Sequence, residues 1–343
     1  MRIQESINLK KYNTFGLNCI AERLFHLEDE VDLVKYHQHP NGYAKQRLLF
    51  SGGSNLLLCS EIKGTVAKIE WNGIKIIKET EQDVLVEVAA GHSWHAFVLW
   101  AIDRGFGGIE NLSLIPGHVG TAPIQNIGAY GVEVKNSIES LRYYRWETGE
   151  IEILSNKICD FGYRTSIFKT QWRDKGVILS VNFKLTKDKH NLNTQYGSVI
   201  DEIHKMGELP SILSISKAII SIRNNKLPDP KVIGNSGSFF KNPIISKNTL
   251  SELKEKHKDI PFYDQENGKV KLSAGWLIEM CGWKGKTHKD AGMHDKQALV
   301  LVNHGNATGE ELWAFANHVK EDVYKSYKIK LEPEVNLIGL SNL

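Results

Sequence analysis

Apolar and polar positions alternate, or β-branched residues crowd together, in "GTVAKIEW", "GIKIIKE" and "DVLVEVAAG". A period of two predicts three strands joined by short turns. "AERLFHL" reads as a strand ahead of a short helix over Glu28 to His37, and "RLLF" as another strand running into "SGGSN". In "SWHAFVLWAIDRG" a Ser N-cap opens the stretch and a glycine closes it, so a helix is predicted from Ser93 to Gly105. "SIESLRYYRW", "EIEIL" and "GVILSVNFKL" return to strand patterning, and two helices are expected around Tyr196 to Lys205 and Ser214 to Asn225. Towards the C-terminus, helices at "SKNTLSELKEKHK", "SAGWLIEM" and "TGEELWAFANHVKEDVYKSYK" surround a strand, "QALVLVN", and predict a small α+β unit. The strand-like "PEVNLIG" comes after the long helix and is expected to return to the first domain.

At 343 residues the chain exceeds what one core usually serves, so two or three domains are expected. Its net charge of +3 is the difference between 43 basic and 40 acidic residues, without a long basic block. That balance argues against nucleic acid as a partner. The opening "MRIQESINLK" lacks a signal-peptide core and no run approaches a membrane span, so a cytoplasmic protein with no membrane partner is expected. Cys19, Cys59, Cys159 and Cys281 are scattered without a C-x-x-C pair, which fits free thiols in a reducing compartment.

Three motifs fail on spacing. "GFGGIE" has Glu110 where a dinucleotide fingerprint needs its third glycine. "GWKGKT" ends like a P-loop, but Met280 stands where the first glycine belongs. His288, His294 and His304 lack the spacing of a metalloprotease, and no metal is expected.

Two glycine-rich segments remain. "FSGGSNLLL" sets Ser51 to Asn55 between apolar runs, where successive backbone N–H groups can form an anion-holding nest, although a tight hairpin explains the pattern equally well. "IPGHVGTAPIQNIGAYGVEV" is long, low in charge and rich in small residues, a loop that lets backbone approach a large flat ligand. A third stretch, "LPDPKVIGNSGSFFKNP", cannot be a helix interior and holds Ser238 between Gly237 and Phe239 in what reads as a long loop.

These segments, with "FGYRTSIFK", "SAGWLIEMCGWKG", "QALVLVN" and "LEPEVNLIG", occur in an order that resembles the UDP-N-acetylenolpyruvoylglucosamine reductase family over nearly the whole chain. The resemblance implies an α+β fold: a two-part flavin-binding domain of the vanillyl-alcohol-oxidase (PCMH) type, then a C-terminal substrate-binding domain. The expected boundaries are 1–72 with 330–343 for the first flavin subdomain, 73–213 for the second with a substrate loop near 190–200, and 214–329 for the last. It also implies non-covalent FAD, NADPH as hydride donor, UDP-N-acetylglucosamine enolpyruvate as substrate, and a monomer. Ser51, where glycine is commoner, and His118 and Ala122 depart from the family's usual residues.

By the same resemblance, Ser51, Gly52, Gly53, Ser54 and Asn55, with Pro116, Gly117, Gly120, Thr121, Gln125, Asn126, Gly128 and Ala129, are expected to hold the cofactor. Arg164 resembles the family's arginine aimed at the substrate carboxylate, where a planar fork suits two oxygens. Glu334 resembles the family glutamate near that carboxylate, and the resemblance implies that Ser238 is the proton donor, a reasonable role for a weak acid facing a carbanionic carbon. Tyr196 resembles the tyrosine on the mobile substrate loop of one subclass; Lys226 and Asn242 resemble diphosphate and uridine contacts. Tyr163 is expected to position the nicotinamide or the substrate beside Arg164, and Arg223, on the preceding helix, either to support the substrate carboxylate or only to cap that helix. Two rival classes stay open: an alcohol-oxidising flavoenzyme that uses oxygen, and a catalytically silent nucleotide-sugar binding protein.

Overall fold

Strands form where the alternation predicts them, and the buried positions say why. In Asp83–Ala89 the residues Val84, Val86 and Val88 are buried, every second one, against the helix Trp94–Asp103 with its buried Trp94, Phe97, Val98 and Ala101. Ser93 caps that helix by accepting the Ala96 N–H, and Gly105, just past it, takes φ +72°. The computed structural model describes residues 1–265 and 268–340. Residues 341–343 of the expected C-terminal stretch 330–343 therefore lie outside the described ones.

The chain divides into two compact units. The first comprises Met1–Ile7, Ala21–Gly52 and Ile62–Asn225. It holds a four-stranded sheet in the order Arg2–Asn8, Ile20–Leu27, Ile62–Ile69, Gln46–Phe50, whose last three strands run parallel. The helix Glu30–Gln38, capped by Asp29, makes the crossover that parallel strands require. Its second sheet is antiparallel, in the order Ile151–Ser155, Ile138–Arg145, Gly176–Thr186, Asp83–Ala89, Ile74–Glu79. One buried cluster joins Phe25, Leu27 and Ala67 of the first sheet to Val177 and Leu179 of the second, and Trp71 Nε1 donates to the Leu179 carbonyl at 2.9 Å.

The second unit comprises Asn8–Ile20, Gly53–Glu61 and the chain from Lys226 onward. Its main sheet runs Gly234–Ser238, Val300–Asn303, Ala291–Met293, Thr287–His288. The helix Gly309–Tyr327 opens with a full Thr308/Glu311 capping box. Gly309 is required at its start, because a Cβ there would lie 2.0 Å from the Leu58 carbonyl oxygen. The strand Asn336–Ile338 pairs in parallel with Leu56–Leu58, so the end of the chain is woven into a segment from its first sixty residues.

Two expectations shift. The helix expected from Tyr196 starts only at Val199, because Gly197 takes φ +66°. The loop expected around Ser238 is in part a strand, Gly234–Ser238, paired with Val300–Asn303.

Candidate active site

In the first unit the two glycine-rich segments meet. Gly52 lies against Gly117 and His118; a Cβ on Gly52 would stand 3.0 Å from the Gly117 Cα and 3.2 Å from the His118 ring. Beside it, Ser51 is 2.5 Å from His118 Nδ1 and donates to the Ile69 carbonyl at 3.1 Å. Burial, reinforced by the Lys68 charge, pushes the His118 imidazole down to about 4. The loop is pinned by backbone bonds from Trp94 to Gly117, Val119 to His92 and Gly120 to Ala90, each near 3 Å. Gly120 packs so close to Ala90 that a Cβ would meet it at 2.5 Å, and the Thr121 hydroxyl closes the turn on the His118 carbonyl at 2.8 Å. Pro116 is exposed at the loop's edge, and Gln125 and Ala129 are half-buried.

Further along, Asn126 is wholly buried with φ +45°, and its amide is engaged with Glu133, the Gly162 carbonyl and the Lys135 N–H. Tyr130 and Gly131, both at positive φ, form a two-residue turn between the short strands Gly128–Ala129 and Val132–Glu133. Four expected substrate residues gather at this hairpin. Arg164, φ +54°, donates to the Gly128 carbonyl at 2.5 Å and lies over the Tyr163 ring at 5.4 Å. A Cβ on Gly128 would come within 2.9 Å of the guanidinium, so glycine is needed there to seat the arginine. Tyr196, 39% exposed, borders Gly131. Asn111 ties its segment down by donating to the Tyr130 and Asn193 carbonyls at 3.1 and 2.8 Å. Arg223 is hydrogen-bonded to the Tyr130 phenol, and its Nε is buried with no hydrogen-bond partner among the described residues. Burial and the Arg223 charge hold His95 below the usual histidine range.

In the second unit, Gly53 takes φ +62°, and a Cβ there would lie 1.9 Å from the Tyr12 carbonyl oxygen. Ser54 follows half-buried, and Asn55 Nδ2 donates to the Glu334 carbonyl at 3.2 Å. The Glu334 N–H donates to the Phe239 carbonyl at 2.8 Å, which puts Glu334 on the strand edge next to Ser238. Ser238 is exposed, while Phe239 and Phe240 are wholly buried. The Asn242 side-chain Oδ1 accepts the Ala274 N–H at 2.9 Å, and Lys226 is exposed at the end of the helix Ile212–Lys226.

Sequence reasoning missed the pairing of Ser51 with His118, and it missed Tyr130 and His95. A tyrosine set between glycines in "GAYG" was the available signal for Tyr130. Among the described residues, no group of three or more His, Cys, Asp or Glu side chains is placed to hold a metal ion. Nor is any helix there long and apolar enough to cross a membrane.

Closely apposed, side-chain-free loops on an α+β scaffold fit a large flat cofactor, and Gly52 against Gly117 is the contact a side chain would fill. Residues 21–155 match the model of the FAD binding domain, which makes the class an FAD-dependent oxidoreductase. Residues 229–338 match the model of the UDP-N-acetylenolpyruvoylglucosamine reductase C-terminal domain. The UDP-N-acetylenolpyruvoylglucosamine reductase of Flavobacterium johnsoniae is 46% identical over 98% of this chain and 100% of its own. That of Chromobacterium violaceum is 44% identical over 97% and 98%, and that of Pseudomonas aeruginosa 43% over 98% and 99%. The chain belongs to the UDP-N-acetylenolpyruvoylglucosamine reductase family. The crystal structure of the Thermus caldophilus reductase has the same fold, with a TM-score of 0.68 at 22% identity, covering 98% of this chain and 99% of that one. A flavin-binding part followed by a C-terminal α+β domain is thus the architecture the sequence implied.

Proposed function

We propose that the protein reduces UDP-N-acetyl-3-O-(1-carboxyvinyl)-glucosamine to UDP-N-acetylmuramate with NADPH, through non-covalent FAD, as a step in bacterial peptidoglycan precursor synthesis. It acts as a cytoplasmic monomer. The observation that carries this reading is family membership over the whole chain, in both the flavin-binding and the C-terminal parts.

FAD, when bound, would supply hydride-transfer chemistry between NADPH and the enol ether. The residues Ser51 to Asn55 and the loop 116–129 would hold it. Arg164 neutralises the substrate carboxylate as charge builds on the adjacent carbon; its anchorage on the Gly128 carbonyl fixes the direction of the fork before substrate arrives. Ser238 gives its hydroxyl proton to that carbon and regains one from water, so each turnover consumes one NADPH and one proton. Glu334, one strand away, helps to polarise the carboxylate. Arg223 and Tyr163 bind substrate from the hairpin side, and Arg223 has a buried donor to offer an anion. Tyr196, as in the tyrosine-loop subclass, reaches the diphosphate, with Lys226 and Asn242 as further nucleotide contacts.

Under anaerobic conditions the purified protein should convert one NADPH per enolpyruvyl substrate into a product two hydrogens heavier, read by mass spectrometry. NADPH oxidation that needs oxygen and leaves the sugar nucleotide unchanged would favour an oxidase and contradict the proposal.

A further inference from the structure

The strand that presents Ser238 is irregular. Asn235 lies opposite Val302 and Ser238 opposite Val300, so three steps on one strand meet two on the other and one residue bulges out. A bulge takes an N–H out of the ladder, and that donor needs another partner. Here the Gly237 N–H, at φ +72°, donates to Asn235 Oδ1 at 2.9 Å. The other end of the same amide donates to the carbonyls of Pro228 at 3.1 Å and Ile233 at 2.8 Å. Asn235 is 4% exposed, so water cannot stand in for these bonds. Its backbone N–H donates to the Thr14 carbonyl at 3.0 Å, and the Thr14 N–H donates to the Gly53 carbonyl at 3.2 Å. A continuous run of hydrogen bonds therefore leads from the Gly53 turn to the bulge.

We propose that Asn235 is the positioning residue for Ser238: its side-chain amide shapes the bulge that turns the Ser238 hydroxyl out of the sheet, and its backbone, through Thr14, registers that hydroxyl against the Gly53 turn. The proposal rests on Ser238 being the proton donor. Asn235 acts on the reaction only through where Ser238 stands.

Asn303, on the neighbouring strand, is an internal control. It is 3% exposed and also makes three side-chain bonds, to the Phe15 carbonyl and from the Gly305 and Ala307 N–H groups. Those bonds brace the turn ahead of the helix Gly309–Tyr327 rather than the bulge.

The test compares Asn235→Ala, Asn235→Asp, Asn303→Ala and Ser238→Ala as holoproteins. Three quantities are measured: amide hydrogen exchange at Gly237, the rate of flavin bleaching by NADPH, and the rate of colour recovery with saturating UDP-N-acetylglucosamine enolpyruvate. Asn235→Ala should speed exchange at Gly237 by about 3- to 10-fold, as expected for one lost hydrogen bond. It should bleach normally and recover about 10- to 100-fold more slowly, the scale of a misplaced reacting group, with kcat reduced and KM little changed. Asn235→Asp keeps the acceptor for Gly237 and should restore part of the recovery rate; it also serves if the alanine variant does not fold. Asn303→Ala should melt earlier but keep both rates. Normal recovery in Asn235→Ala, while Ser238→Ala is slow, would overturn the positioning role alone. Equal slowing of both half-reactions in Asn235→Ala and Asn303→Ala would reduce Asn235 to a fold residue and also overturn it. Normal recovery in Ser238→Ala would remove the proton-donor reading, and the proposal with it.

Discussion

Arg164 shows how much chemistry one residue draws from backbone geometry. It sits at a positive φ, at the tip of a turn closed by Gly162 and Thr165, and hands one arm of its guanidinium to the Gly128 carbonyl. Lysine would keep the charge but could not hold that carbonyl and present a planar pair of donors together. Arg164→Lys should cost about 2–4 kcal/mol of transition-state stabilisation, by analogy with lost oxyanion donors. Stopped-flow rates for the substrate half-reaction measure it, and near-normal turnover would exclude Arg164 from the chemistry. Ser238→Ala should slow the same half-reaction about 10²–10⁴-fold, the range for removal of a positioned general acid, and leave flavin bleaching by NADPH unchanged. The roles of Arg164, Ser238 and Glu334 were readable only through family resemblance. Nothing in the local pattern around Ser238 announces a strand, because glycine, asparagine and serine carry almost no β signal. The bulge that exposes it depends on Asn235, a residue that reads as a turn former.

At the scale of elements, legibility followed range. The helix Trp94–Asp103 was readable to within two residues because its start and stop signals, Ser93 and Gly105, flank it closely in the chain. The junction of the two glycine-rich segments was not, since Ser51 and His118 are 67 residues apart and no local rule links them. Gly52→Ala should drive a methyl group into the Gly117 backbone, opening the junction; the protein should fold but purify with much less flavin, measured by the absorbance ratio of cofactor to protein. The burial of His118 also gives the junction a pH dependence. Folded His118 titrates near 4 against an ordinary 6.5, so between those values the unfolded chain binds the extra proton. The stability it contributes is full above 6.5 and is lost as pH falls towards 4. Melting temperatures across that window should fall less steeply in His118→Ala than in the unaltered protein; equal slopes would mean that His118 protonates without cost.

For the whole molecule, the sequence pattern indicated two or three domains, and the structure divides the chain into two interleaved compact units. Arg164 belongs to the first and Ser238 and Glu334 to the second. The interleaving arises because Asn8–Ile20 and Gly53–Glu61 are held by strand Asn336–Ile338, by Asn235 and by Asn303, all from the far end of the chain. Such pairings depend on contacts hundreds of residues apart and leave no periodic trace. A non-covalent cofactor stabilises only the folded chain, so FAD at about 100 times its Kd should add roughly 2.7 kcal/mol to the apoprotein. A melting temperature that ignores added FAD would contradict this, and so would flavin that stays with the denatured chain. The most direct test of the central claim is anaerobic absorbance spectroscopy of the holoprotein. NADPH should bleach the flavin, and the colour should then return on adding UDP-N-acetylglucosamine enolpyruvate and not on adding UDP-N-acetylglucosamine. A flavin that NADPH leaves yellow, or one that recovers only with oxygen, would contradict the account.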